Sequence, residues 1–267
     1  MKRLSLLLLF SLLIISCKSA ETTSPSFPSG KIIDLSYAYD ADTIFWPTAE
    51  GFRLEKDFEG ITEKGYYYAA NKFSTAEHGG THIDSPIHFA QGHNTVDQIP
   101  LEQLLGEAVI VDVAKQCETN PDYQVTTEDF LQWEKTNGEL PKGMIVILRT
   151  GYGRYWPDRK KYMGTDERGA EAVPKLHFPG LHPEAARWLT LNRSIKAIGL
   201  DTPSIDYGQS TLFESHRALF ERNVPAFENL ANLDKLPLKN FIVVALPMKI
   251  KNGSGGPLRA IAILKES

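Results

Sequence analysis

The chain has 267 residues, 42% hydrophobic and 23% charged, with a formal net charge of -4. That is enough apolar material for one α/β domain with its own core, and it excludes a disordered, collagen-like or disulfide-stapled chain. There is no basic footprint for nucleic acid and no block of like charges, which leaves an enzyme or a binding domain for a small molecule.

At the start, Lys2 and Arg3 precede an apolar run from Leu4 to Ile15 that is too short to span a bilayer as a relaxed helix. The run ends at Ser16-Cys17, which resembles a bacterial lipobox. The resemblance implies a lipoprotein signal peptide over residues 1–16 and lipidation of Cys17. It implies an exported domain anchored to a bacterial membrane, in the periplasm or on the outer membrane. That lipid is the expected membrane contact. Residues 17–29, rich in Ser, Thr and Pro, read as a tether, and residues 30–267 as the domain. Cys117 is the other cysteine, so no disulfide is expected.

Strand signals follow at Lys31–Tyr37 and Tyr66–Ala76. Short runs rich in Val, Ile and Leu come at Glu107–Val113, Met144–Arg149, Ile195–Leu200, Phe241–Leu246 and Leu258–Leu264, as in buried strands. Helices are expected at Thr127–Lys135, at Pro183–Asn192 with proline in its first turn, and at Thr211–Arg222. In the last, Thr211 and Glu214 fit a capping box and Asn223 a helix end. Strands outnumber helices without strict alternation, so the fold is expected to be α/β with a mixed sheet.

Chemistry concentrates in His78-Gly79-Gly80-Thr81-His82-Ile83-Asp84-Ser85-Pro86-Ile87-His88-Phe89. The Gly-Gly pair and Pro86 speak against a helix. In an extended chain His82 and Asp84 point the same way, and a Gly-Gly turn can fold His78 back to join them. Two imidazoles and a carboxylate suit zinc, manganese or iron, with positions open for water and substrate. Thr81, Ser85 and Gln91 are polar neighbours. Further on, His216 shares a helix face with Leu212, Leu219 and Phe220, and Glu228 lies in an apolar stretch. From spacing alone a core imidazole and a capping acid remain the commoner readings for these two.

The segment resembles the signature HxGTHxDxPxHF of the cyclase-like metallohydrolases, the family that includes bacterial kynurenine formamidase and isatin hydrolase. The resemblance extends through Arg149-Thr150-Gly151, Phe178-Pro179-Gly180, Ile198–Thr202 with Ser204-Ile205-Asp206, and Glu228-Asn229-Leu230. It implies a swivelling β/β/α fold and a homodimer or homotetramer. It implies His78, His82 and Asp84 as ligands of one divalent ion, zinc or manganese, and Asp84, His216 and Glu228 as ligands of a second, so one or two ions per chain. His88 becomes the general acid/base and Trp46 a substrate contact. The implied reaction is hydrolysis of a small-molecule amide C–N bond by metal-activated water, in an aryl formamide such as N-formylkynurenine or a cyclic amide such as isatin. The alternatives are a lactonase, dehydratase or cyclase on the same metal platform, or a lipoprotein that binds a small ligand without turnover.

Overall fold

The computed structural model describes residues 30–265. The expected signal peptide, the Cys17 lipidation and the tether lie outside the described residues. Twelve strands are described: β1 (Ile32–Asp34), β2 (Arg53–Ile61), β3 (Tyr67–Ser74), β4 (His82–Asp84), β5 (Leu105–Asp112), β6 (Gln124–Val125), β7 (Ile145–Arg149), β8 (Gly180–Leu181), β9 (Ala197–Leu200), β10 (Ala226–Glu228), β11 (Phe241–Pro247) and β12 (Gly255–Leu264).

Eight of them form one sheet in the order β1-β12-β11-β5-β7-β9-β10-β4, and β12 also pairs with β4, which closes the sheet on itself. Strands β5, β7, β9 and β10 run parallel, and β1, β4, β11 and β12 join antiparallel. The mixed α/β architecture is the one expected.

Strand β7 shows why the central strands read as unbroken apolar runs. Ile145 and Ile147 pack with Ile110, Phe227 and Val243 in one core. Val146 and Leu148 pack on the other face with Phe130, Tyr162 and Phe220. A strand covered on both sides must be apolar at every position, and each such side chain contributes about 1.5–3 kcal/mol. Helix Thr127–Asn137 starts on a capping box of Thr126 and Asp129. The helix expected from Pro183 has proline in its first turn, but its regular part ends at Trp188 and passes into a π turn over Leu189–Arg193.

Two expectations need correction, and a third holds in a setting the sequence did not reveal. The first strand is only Ile32–Asp34, because the Ser36 backbone N–H donates to the Asp34 carboxylate and turns the chain away. The segment at Tyr66–Ala76 is a strand, β3, but its partner among the described residues is β2 alone. Tyr66, Tyr67, Tyr68 and Phe73 are therefore exposed along a hairpin. Charged side chains along β2 hid that partner in the sequence. Finally, the capping box of Thr211 and Glu214 does not form. The helix runs Glu214–Phe220, its first amides are capped by the distant Asp206, and Phe213 precedes it in the left-handed region. Asn223 does end the segment, with φ 53°.

Candidate metal centre

Strand β4 lies between β10 and β12, and this sandwiching assembles the site. Its register sets His82 opposite Glu228 and Asp84 opposite both Ala226 and Gly255. The close approach of β12 at this point requires glycine, since a Cβ on Gly255 would lie 2.6 Å from the His78 ring and 2.5 Å from the Ile83 carbonyl oxygen. Gly80, at φ 57°, makes the turn that returns His78 to the strand end. A Cβ there would meet the Tyr39 ring at 2.6 Å, while the Tyr39 hydroxyl lies 2.7 Å from the carbonyls of Gly79 and Thr81 on either side, its one proton available to either.

The five side chains singled out as ligands converge. Asp84 Oδ1 lies 2.6 Å from His78 Nδ1 and 3.1 Å from His82 Nε2. Asp84 Oδ2 lies 3.1 Å from His216 Nε2, which is 3.3 Å from Glu228 Oε1. Donor atoms of His78, His82 and Asp84 fall within 4.8 Å of one another, and so do those of Asp84, His216 and Glu228. Asp84 thus belongs to both groups. His82, Asp84, His216 and Glu228 are buried, and His78 is partly so.

Neighbours hold each donor. Asp206 accepts from His216 Nδ1 at 2.6 Å. The Ile205 backbone N–H donates to Glu228 Oε1 at 2.7 Å. His82 Nδ1 contacts the Gly80 carbonyl at 3.0 Å, and the Asn229 amide donates to that same carbonyl at 2.7 Å. His78 Nε2 meets Ser254 Oγ at 2.9 Å, and Ser254 Oγ donates to Glu77 at 2.5 Å. Each imidazole therefore has one nitrogen fixed by the protein and one turned to the shared carboxylates, the arrangement metal-binding histidines use.

The electrostatics agree with that donor set. Burial pushes the Asp84 carboxyl up, but His78, His216 and His82 together hold it well below the usual carboxylate range. Glu228 is raised, by burial and by the charge on Asp84. Burial lowers His216, yet its bonds to Asp206, Asp84 and Glu228 lift it well above an ordinary imidazole. His82 is likewise raised, against burial, by Asp84 and Glu228. Asp84, Glu228 and Asp206 form an excess of buried negative charge that protonated imidazoles must balance. A divalent cation would balance it instead and free the ring nitrogens as ligands, so the residues fit such an ion. Imidazole nitrogen with carboxylate oxygen suits zinc or manganese.

His88 stands beside the cluster rather than in it. Its ring stacks on His78 with centroids 3.8 Å apart. Burial lowers it to about 4, so it is neutral at physiological pH. Both His88 and Trp46 line a cavity of about 290 Å³ above the five donors, with Phe45, Phe89 and Phe213 among its other walls. Thr81 supports the site by donating to the Asn229 carbonyl at 2.8 Å. The Ser85 hydroxyl is buried without a hydrogen-bond partner among the described residues, and Gln91 is exposed. Cys117 is buried and free, and burial raises its thiol far above the usual range, which suits a packing residue rather than a nucleophile.

Sequence reasoning gave no role to Asp206, Asn229, Ser254 or Phe213. Asp206 and Asn229 lay in segments already noted for their resemblance, but only the folded contacts reveal what they hold. Ser254 sits in the glycine-rich link before β12, where composition signals a turn.

Comparison with known proteins places the chain in a recognised group by sequence and fold. The Cyclase family model matches residues 33–207. The isatin hydrolase of Roseibium aggregatum is 30% identical over 248 residues, covering 85% of this chain and 92% of the relative. A kynurenine formamidase of Salinibacter ruber is 26% identical over 236 residues, covering 86% and 96%. Among solved structures, isatin hydrolase A from Labrenzia aggregata bound to benzyl benzoate superposes with a TM-score of 0.79 at 32% identity, covering 88% of this chain and 94% of that one. An isatin hydrolase bound to the product analogue thioisatinate gives 0.78 at 28% identity, covering 88% and 93%.

Proposed function

This chain belongs to the Cyclase family, and from that membership and the converged donor set we propose that it is a metal-dependent hydrolase of a small-molecule amide C–N bond. The observation that carries the proposal is the pair of donor groups sharing Asp84 at the floor of a mainly apolar cavity. His78, His82 and Asp84 would hold one divalent ion, zinc or manganese, and Asp84, His216 and Glu228 a second. A bound ion supplies Lewis acidity, which polarises a carbonyl and lowers the pKa of water toward ~7.

The protein's own residues supply the rest. His88, neutral because it is buried, takes a proton from the attacking water on an imidazole nitrogen. It then returns that proton to the leaving nitrogen as the C–N bond breaks. The net change adds hydroxyl to the carbonyl carbon and hydrogen to the nitrogen. Asp206 keeps His216 oriented throughout, Asn229 keeps the Gly80 turn in place, and the aromatic walls exclude bulk water.

The substrate candidates are a cyclic amide such as isatin and an aryl formamide such as N-formylkynurenine. Metal content and turnover of both compounds, compared between wild type and His82→Ala, test the assignment. Wild type holding about one or two ions and hydrolysing either compound, with both properties lost in the variant, supports it. A folded wild type without affinity for divalent ions refutes it.

The same reading makes the protein a homodimer or homotetramer. Its support is the β2–β3 hairpin, where Leu54, Phe58, Ile61, Tyr67 and Phe73 are exposed. A two-stranded hairpin is marginal alone in water, and a second copy would cover these side chains. Light scattering on Phe73→Glu against wild type checks this, with a fall toward monomer mass expected. The lipid anchor at Cys17 and an extracytoplasmic location complete the reading. They rest on the sequence pattern alone, and mass spectrometry of the mature N-terminus tests them.

A further inference from the structure

Seven non-glycine residues have positive φ among the described residues. Six are asparagine or serine, whose short polar side chains tolerate the left-handed region. The seventh is Phe213, at φ 49° and ψ 43°. A bulky aromatic residue in this region is strained, and such strain persists where the surrounding structure imposes it. Glycine or asparagine would make the same turn into helix Glu214–Phe220 without that cost.

The strained backbone directs the phenyl ring into the cavity. The Phe213 ring stacks on Phe89 with centroids 5.0 Å apart and meets Trp46 edge-on at 6.3 Å. Phe89 in turn lies 4.7 Å from the His216 ring, so the aromatic wall runs from the cavity side down to the donor cluster. Phe213 is itself only half-buried and keeps a surface turned to the cavity. Among the described residues no lysine or arginine lines this space. A substrate carboxylate among these walls would have no lysine or arginine to pair with, whereas a flat uncharged ring finds Phe45, Trp46, Phe89 and Phe213 around it.

We infer that Phe213 is a specificity-determining residue which, with Trp46 and Phe89, grips a flat, uncharged aromatic ring above the donor cluster. This selects cyclic or N-acyl aromatic amides without an amino-acid head group. The inference rests on the proposed hydrolase reading for the bond that is cut. Ring binding and bond cleavage can nevertheless fail separately.

The test uses the full chain as wild type, Phe213→Tyr, Phe213→Ala and Phe213→Gly. Indole serves as an uncharged ring that cannot be hydrolysed, and its affinity is read by calorimetry. KM and kcat are read with isatin and with N-formylkynurenine. Loss of the ring in the Ala and Gly variants is expected to weaken indole about tenfold, with Tyr within about twofold of wild type. The KM for isatin rises in parallel while kcat holds, and wild type favours isatin over N-formylkynurenine in kcat/KM. Both small variants lack the ring, and only alanine must still occupy φ 49°, so the Gly variant should melt about 2–4 °C above the Ala variant. Unchanged indole affinity in Phe213→Ala overturns the inference while leaving the hydrolase reading intact. So does a fall in kcat with KM unmoved, which would mean that Phe213 acts through the helix bearing His216. A preference for N-formylkynurenine overturns the selection for an uncharged ring. Indole binding that depends on Phe213 in a protein that cleaves neither amide supports the grip and refutes the hydrolase.

Discussion

Asp206→Asn asks whether one distant carboxylate holds the second half of the site together. That carboxylate accepts from His216 Nδ1 at 2.6 Å, from the His216 backbone N–H at 3.1 Å, from the Ser215 backbone N–H at 3.1 Å and from Ser210 Oγ at 3.2 Å. It therefore does two tasks, capping the helix and orienting the imidazole. Asparagine keeps one accepting oxygen and replaces the other with a donor. An oxygen in the Oδ2 place keeps the His216 ring and backbone N–H but sets an amide donor against the Ser215 N–H, and an oxygen in the Oδ1 place keeps the Ser215 N–H and loses the ring. A buried N–H left without an acceptor costs about 1–3 kcal/mol, and losing the charge-assisted partner of His216 costs a comparable amount. The expected destabilisation is about 3–4 kcal/mol, a large share of the roughly 5–15 kcal/mol that holds a domain folded. His216 also loses its orientation, so metal affinity should fall about 10- to 100-fold. Urea unfolding followed by circular dichroism reads the first quantity, and chelator competition reads the second. If the variant unfolds within about 0.5 kcal/mol of wild type and holds metal equally well, Asp206 does neither task.

His88→Ala should retain metal and lose about 10²–10⁴ in kcat, and co-purified metal with unchanged affinity would separate this from damage to the donor cluster. Because the base form of His88 is the working form and burial holds its titration near 4, the part of the rate that depends on it should fall only as pH drops through about 4. A loss of rate already complete by pH ~6 through this group, the range of an exposed imidazole, would contradict the burial argument. Glu134 is held below the usual carboxylate range by the Arg193 guanidinium, which donates at 2.6 and 2.8 Å. A depressed carboxyl contributes stability above its unfolded pKa and loses it as pH falls through the folded value. Glu134→Gln should therefore cost about 1 kcal/mol at neutral pH and progressively less as pH falls below the ordinary carboxylate range, and thermal melts across an acid pH series check the trend. Gly255→Ala should destabilise by about 1–3 kcal/mol and weaken metal binding, because the added methyl must displace the His78 ring or the Ile83 carbonyl. Normal melting and normal metal content in that variant would show that β12 can move aside.

The sequence by itself determined the central strands and the first half of the site. Residues 145–148 must be a strand covered on both faces because no position in the run is polar, and that property needs no knowledge of partners. His78, His82 and Asp84 were legible for a similar reason. The seven residues from His78 to Asp84, a Gly-Gly turn leading into an extended tripeptide, have little freedom, so local geometry brings their side chains together. His216 and Glu228 were different. From spacing they were an ordinary helix-face imidazole and an acid in an apolar stretch, and the family resemblance alone gave them a role. What sets them against Asp84 is the insertion of β4 between β10 and β12, strands distant in sequence. Contacts of three residues are too short to leave a periodic pattern. Tertiary structure also overruled local rules at the start of helix Glu214–Phe220. There a carboxylate from Asp206 replaced the local capping box, and an aromatic residue took a turn that local preference reserves for glycine or asparagine. Local chain stiffness writes itself into neighbouring residues. Long-range pairing writes itself only into the folded contacts, where packing supplies free energy that local propensity cannot match.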